Sequence, residues 1–181
     1  SLETGSRMFY NCKEFEGKGL DKWKTSSLRN MSEMFAKCGI RLSGFGERFN
    51  PSLEGWDVRQ VFTMRQAFQQ AKGFQGHVLD KWQTDALYTA TRAFEKTLLR
   101  EVNLSGWDMS HVRHADHMFE GCHIFKGNGL EKWHLPNVVD ARNMFYACVQ
   151  VDFDASNWGM QSAHALMSMF EGCTAFKGVG C

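Results

Sequence analysis

The sequence predicts an α/β solenoid of about seven stacked 25/26-residue strand–helix coils. Three observations predict it. A repeat takes in every tryptophan of the chain, apolar residues alternate around each tryptophan, and a helical apolar spacing follows each one.

The six tryptophans, Trp23, Trp56, Trp82, Trp107, Trp133 and Trp158, are each followed twelve residues later by a phenylalanine: Phe35, Phe68, Phe94, Phe119, Phe145 and Phe170. These twelve aromatics are the predicted structural core. Five residues after each Trp come Leu28, Val61, Leu87, Val112, Val138 and Ala163, and eight after come Met31, Met64, Ala90, Ala115, Ala141 and Leu166. Repeats therefore start near residues 20, 53, 79, 104, 130 and 155, behind a partial repeat over 1–19. The Trp spacings are 33, 26, 25, 26 and 25 residues, the first enlarged by an insertion over about 39–52. Asp21-Lys22, Asp80-Lys81 and Glu131-Lys132 precede alternate tryptophans, while Glu54-Gly55, Ser105-Gly106 and Ser156-Asn157 precede the others. A pair of coils, about 51 residues, is the natural unit of duplication. Leu2, Gly5, Met8 and Phe9 fit the register at one end and Phe176 at the other, so the chain is expected to be one repeat domain cut from a longer array.

Each coil reads as a strand and then a helix. Trp56 and Val58, Trp107 and Met109, and Trp133 and Leu135 alternate with polar residues, which is the period of a half-buried strand. Apolar positions five, eight, eleven, twelve and fifteen after the Trp have helical spacing, and Gly121 and Gly172 mark where such helices would end. One coil cannot bury its apolar face alone; stacked neighbours supply the core. A buried Trp or Phe hides roughly 150–250 Å², about 4–6 kcal/mol at ~25 cal/mol/Å², as an upper bound.

The segment Leu104 to Phe125, Leu-x-x-Trp-Asp-x-Ser-x-Val-x-x-x-Asp-x-Met-Phe-x-Gly-Cys-x-x-Phe, resembles the 25-residue repeat of mycoplasma surface lipoproteins and of BspA-type surface proteins. The resemblance runs through essentially the whole chain. It implies a leucine-rich-repeat-like solenoid used for protein contact or adhesion, at a cell surface, without catalytic residues. The sequence departs from the pattern where Ala replaces Met eight after the Trp in three copies, and where Asp follows the Trp only at Asp57 and Asp108.

Composition excludes several classes. With 21 basic and 20 acidic residues and no basic tract, no nucleic-acid partner is expected. No run of 18 apolar residues exists, so this segment is expected to insert no membrane span. Phosphate-loop, zinc-protease, nucleophile-elbow and dinucleotide motifs are absent from the sequence, and neither enzymatic activity nor a cofactor is expected. Cys12, Cys38, Cys122, Cys148 and Cys173 share a slot with Ala71 and Thr97 and read as reduced core filler, which is compatible with an intracellular setting.

Candidate contacts lie where copies differ. The insertion carries Arg41, Phe45, Arg48 and Phe49; Phe45 and Arg48 read as contact residues. Phe49 is either a contact or the replacement for the phenylalanine whose slot Arg41 holds. Phe62 and Tyr88, six after their tryptophans, form a candidate outward aromatic patch between Arg29 and Arg113, with partial burial as the alternative. His111, His114 and His117 lie at i, i+3 and i+6 of one predicted helix, a weak candidate metal set; a surface contact between His114 and Asp140 is the plainer account. The function expected is a non-enzymatic scaffold presenting a variable surface to another protein, with end-to-end self-association into an array as the alternative.

Overall fold

A computed structural model describes residues 2–39 and 49–178. Seven rungs define the stack: parallel single-residue bridges join Thr4, Asn30, Thr63, Thr89, His114, Asp140 and Ala165 in succession. Each rung lies seven residues after a repeat tryptophan, or where one would fall.

The strand–helix coil is not what forms, and with it goes the leucine-rich-repeat-like solenoid. Among the described residues there is no strand, and the only helical elements are three 3-10 turns, Leu20–Lys22, Leu79–Lys81 and Leu130–Lys132. The segment read as a helix is a chain of tight turns. Its N–H groups divide into two sets. In the coil of Trp23, Met34, Ala36 and Cys38 donate back three residues to Met31, Glu33 and Phe35. The alternate groups, Met31, Glu33, Phe35 and Lys37, leave the coil and donate to Thr63, Arg65, Ala67 and Gln69 of the next. The same four bonds recur at every junction, 2.7–3.0 Å long. A helix spends its N–H groups on itself; these coils spend half of theirs on their neighbours.

Left-handed residues make this possible. Ten residues after each Trp, Glu33, Gln66, Arg92, His117, Asn143 and Ser168 all have φ of 53–56°, and four residues further Lys37, Gln70, Lys96, Gly121, Ala147 and Gly172 have positive φ as well. Positive φ at the third position of a turn reverses the chain every three or four residues. That spacing returns an apolar side chain to the core at the intervals a helix would, which is why the sequence pattern mimics one.

Around the tryptophans the alternation of burial is real but the sheet is not. Trp56, Val58, Trp107, Met109, Trp133 and Leu135 are buried, and Trp23, Trp82 and Trp133 have extended backbone. Inter-coil backbone bonds are concentrated in the turn segment instead.

The core is two aromatic columns. Phe9, Phe35, Phe68, Phe94, Phe119, Phe145 and Phe170 stack one on the next at centroid separations of 5.3–5.8 Å. The tryptophans stack as pairs, Trp23 with Trp56, Trp82 with Trp107 and Trp133 with Trp158, at 6.2–6.4 Å. The two-coil period therefore shows twice, in the paired indoles and in the 3-10 turns that precede alternate tryptophans. Trp23 and Phe170, near the two ends, are only partly buried.

Candidate interaction surface

The position five after each Trp is buried, from Leu28 to Val138, so the next side chain faces out. That column reads Arg29, Phe62, Tyr88, Arg113, Val139 and His164, all exposed except the half-buried Val139. Backbone bonds of 2.9–3.0 Å join it, each N–H donating to the C=O of the preceding member. Phe62 and Tyr88 occupy neighbouring rungs and are 47% and 45% exposed. They are large apolar side chains held in water by a rigid backbone.

Beside this column runs a polar one, at positions seven and nine. The oxygen at position seven accepts the N–H two residues on: Asn30 from Ser32 at 2.8 Å, Thr63 from Arg65 at 3.3 Å, Thr89 from Thr91 at 3.5 Å, Asp140 from Arg142 at 3.1 Å. Asn, Thr and Asp suit the slot because a short side-chain oxygen closes such a turn. Ser32 and Thr63 bridge two coils at 3.2 Å, and Thr91 donates to Asp116 at 2.8 Å. Asp140 is held below the usual carboxylate range, chiefly by the Arg142 hydrogen bond, with burial pushing the other way. His114 faces Asp140 across a bridge, and its ring meets Tyr88 edge-on at 6.1 Å.

The histidine triplet does not converge, because the helix that would align it is absent. His111 turns to Ser110 at 3.2 Å. His117, at φ 56°, pairs with Glu120 at 2.5 Å. His114 instead joins Asp116 and Asp140, their ligand atoms all within 4.8 Å of one another.

Phe49 is not a contact residue. It is fully buried between Phe15, Phe35 and Phe74, at 6.0, 5.3 and 6.5 Å. It fills the slot that phenylalanine takes elsewhere. Gly39 permits this closure, since at φ 68° a Cβ there would fall 2.6 Å from Phe49 Cβ. Arg41, Phe45 and Arg48 lie outside the described residues.

A second polar feature has a fainter signature in the sequence. Glu95 is 2% exposed and accepts hydrogen bonds from Gln69 and Arg92, each at 2.7 Å, with Lys96 at 3.2 Å. Burial pushes its pKa up, yet these three donors outweigh it and hold the carboxyl below its ordinary value. The chain of contacts continues from Lys96 to Glu120 and on to His117 and Asn143. The signal was Gln69, Glu95 and Glu120 occupying one register position in successive coils.

The cysteines described are free thiols. Across junctions, the thiols of Cys38, Cys122, Cys148 and Cys173 donate to the repeat-phenylalanine carbonyl of the coil before, at 2.9–3.0 Å. These thiol–carbonyl hydrogen bonds engage each of the four sulfurs across its junction.

The fold and its surface define a class first: a tandem-repeat protein of stacked, turn-built coils with a variable outer column. The sequence matches the family described as Mycoplasma protein of unknown function, DUF285, over residues 1–99 and again over 89–179. The chain belongs to that family, which it spans as two tandem matches. No curated protein and no solved structure matches it.

Proposed function

We propose that this chain is a non-catalytic binding scaffold that presents the column through Phe62, Tyr88 and Arg113 to another protein. The observation that carries the reading is the pair of exposed aromatics on adjacent rungs, beside a cation and fixed by the inter-coil bonds. Aromatic and arginine side chains on a pre-ordered surface anchor interfaces at low entropic cost. The resemblance of the repeat to BspA-type surface repeats supports adhesion at a cell surface as the setting. Immobilised wild-type chain and a Phe62→Ser/Tyr88→Ser variant, compared in capture experiments, test this. The variant should lose the retained partner; equal retention by both chains would overturn the reading.

A further inference from the structure

The side chain seven residues after each tryptophan commonly closes a turn, its oxygen accepting the N–H two residues on. His114 does not do so. Among the described contacts no hydrogen bond joins its ring to Asp116 N–H, and the ring is directed towards two carboxylates. Asp116 comes from its own coil and Asp140 from the next, brought opposite by the parallel bridge. One nitrogen of His114 and one oxygen from each carboxylate lie within 4.8 Å of one another, and all three residues are half-buried.

We propose that His114, Asp116 and Asp140 form a binding site for one divalent transition-metal ion of the zinc type. The donor set is one imidazole and two carboxylates, which suits Zn²⁺ and its neighbours Co²⁺ and Ni²⁺; Mg²⁺ and Ca²⁺ select all-oxygen sites. Ligand atoms at about 2.0–2.2 Å from such an ion lie within about 4.4 Å of one another, which these three side chains reach with at most small rotations about their χ bonds.

The surroundings orient the carboxylates as outer partners of a metal site do. Thr91 Oγ1 donates to Asp116 Oδ1 at 2.8 Å, which leaves Oδ2 for the ion. Arg142 holds Asp140 through both oxygens, Nε on Oδ1 at 3.0 Å and Nη2 on Oδ2 at 2.6 Å. The ion displaces Nη2 from Oδ2, and Nε with the Arg142 backbone N–H keeps Oδ1 in place. Three protein ligands leave coordination positions for water or for a donor atom of a bound partner. Tyr88 stands against the His114 ring, so the site adjoins the aromatic column but does not depend on that column being an interface.

The proposal is tested by titrating chelator-stripped chain with Co²⁺, followed by visible absorption, and with Zn²⁺, followed by calorimetry. One ion per chain is expected. His114→Ala and Asp140→Asn should each weaken binding at least tenfold, while His123→Ala, an exposed histidine outside the cluster, should leave it unchanged. Ala165 already occupies the same slot in a later coil, so His114→Ala is compatible with the fold, and its unfolding midpoint verifies that. Absence of saturable binding, or equal affinity of wild type and His114→Ala, overturns the proposal.

Discussion

Replacing tryptophan with phenylalanine should have sharply different costs at two neighbouring positions. The indole N–H groups of Trp56, Trp107, Trp133 and Trp158 each donate to a leucine carbonyl of an earlier coil, at 2.7–2.9 Å. By register, Trp82 would reach Leu53, the leucine just past the insertion, but its Nε1 has no partner among the described residues. Trp82 and Trp107 stack on each other at 6.4 Å and are 2% and 4% exposed, so the apolar area lost is nearly the same for both. Trp107→Phe also gives up one hydrogen bond, a net ~0.5–1.5 kcal/mol, whereas Trp82→Phe removes a buried orphan donor that costs ~1–3 kcal/mol. The two variants should therefore differ by about 1.5–4.5 kcal/mol, Trp82→Phe being the milder. Urea titrations followed by the emission of the remaining tryptophans measure this. A Trp82→Phe variant as destabilised as Trp107→Phe would falsify the assignment of the indole bonds as stabilising rungs.

Other outcomes follow from the same structure. Glu95 has a folded-state pKa below its ordinary value, so its contribution is complete above the unfolded pKa and is lost as pH falls through the lower folded one. Glu95→Gln should cost about 1–3 kcal/mol at pH 7 and flatten the fall of the urea midpoint between neutral pH and the acid range. Burial pushes the Cys38 and Cys122 thiols up to about 12 and about 11, and raises Cys148 as well. A disulfide reagent at neutral pH should label these three only on unfolding, and rapid native labelling would contradict their placement. Gln70 sits at φ 56° in a slot that Gly121 and Gly172 also fill. Gln70→Gly should be neutral to stabilising by up to ~1 kcal/mol as backbone strain is relieved, while Gln70→Val should destabilise; calorimetry distinguishes the two.

The core was legible in the sequence because it is periodic and apolar. Every repeat phenylalanine stands in or against one column, and the pairing of coils written in Asp21-Lys22, Asp80-Lys81 and Glu131-Lys132 reappears as three 3-10 turns. What apolar spacing cannot carry is the destination of the backbone N–H groups. Met31, Met34, Phe35 and Cys38 are buried at intervals of three, one and three residues, which suit a helix and a train of turns equally. The distinguishing signal is the slot ten after each Trp. Glu33, Gln66, Arg92, His117, Asn143 and Ser168 show no glycine preference, so their left-handed backbone left no mark on composition. Its source is the ladder itself. Four backbone bonds at each side of a coil offset a left-handed cost of roughly 1–2 kcal/mol per residue, something a single coil read in isolation has no means to do.

This explanation of the backbone also sorts the outer residues. A polar side chain that closes a turn, such as Asn30, Thr63 or Thr89, is accounted for by the coil it belongs to. A side chain that occupies the same slot without closing the turn is not, and His114 is such a residue. Phe62 and Tyr88 are a parallel case, since the coil needs only an outward residue there and Arg29 or Arg113 serves it equally. Stability therefore constrains neither the histidine nor the two aromatics. They occupy adjoining rungs of one surface, Tyr88 against His114 at 6.1 Å. Substituting them should change binding while leaving the unfolding midpoint in place, a separation that core residues such as Phe94 do not allow.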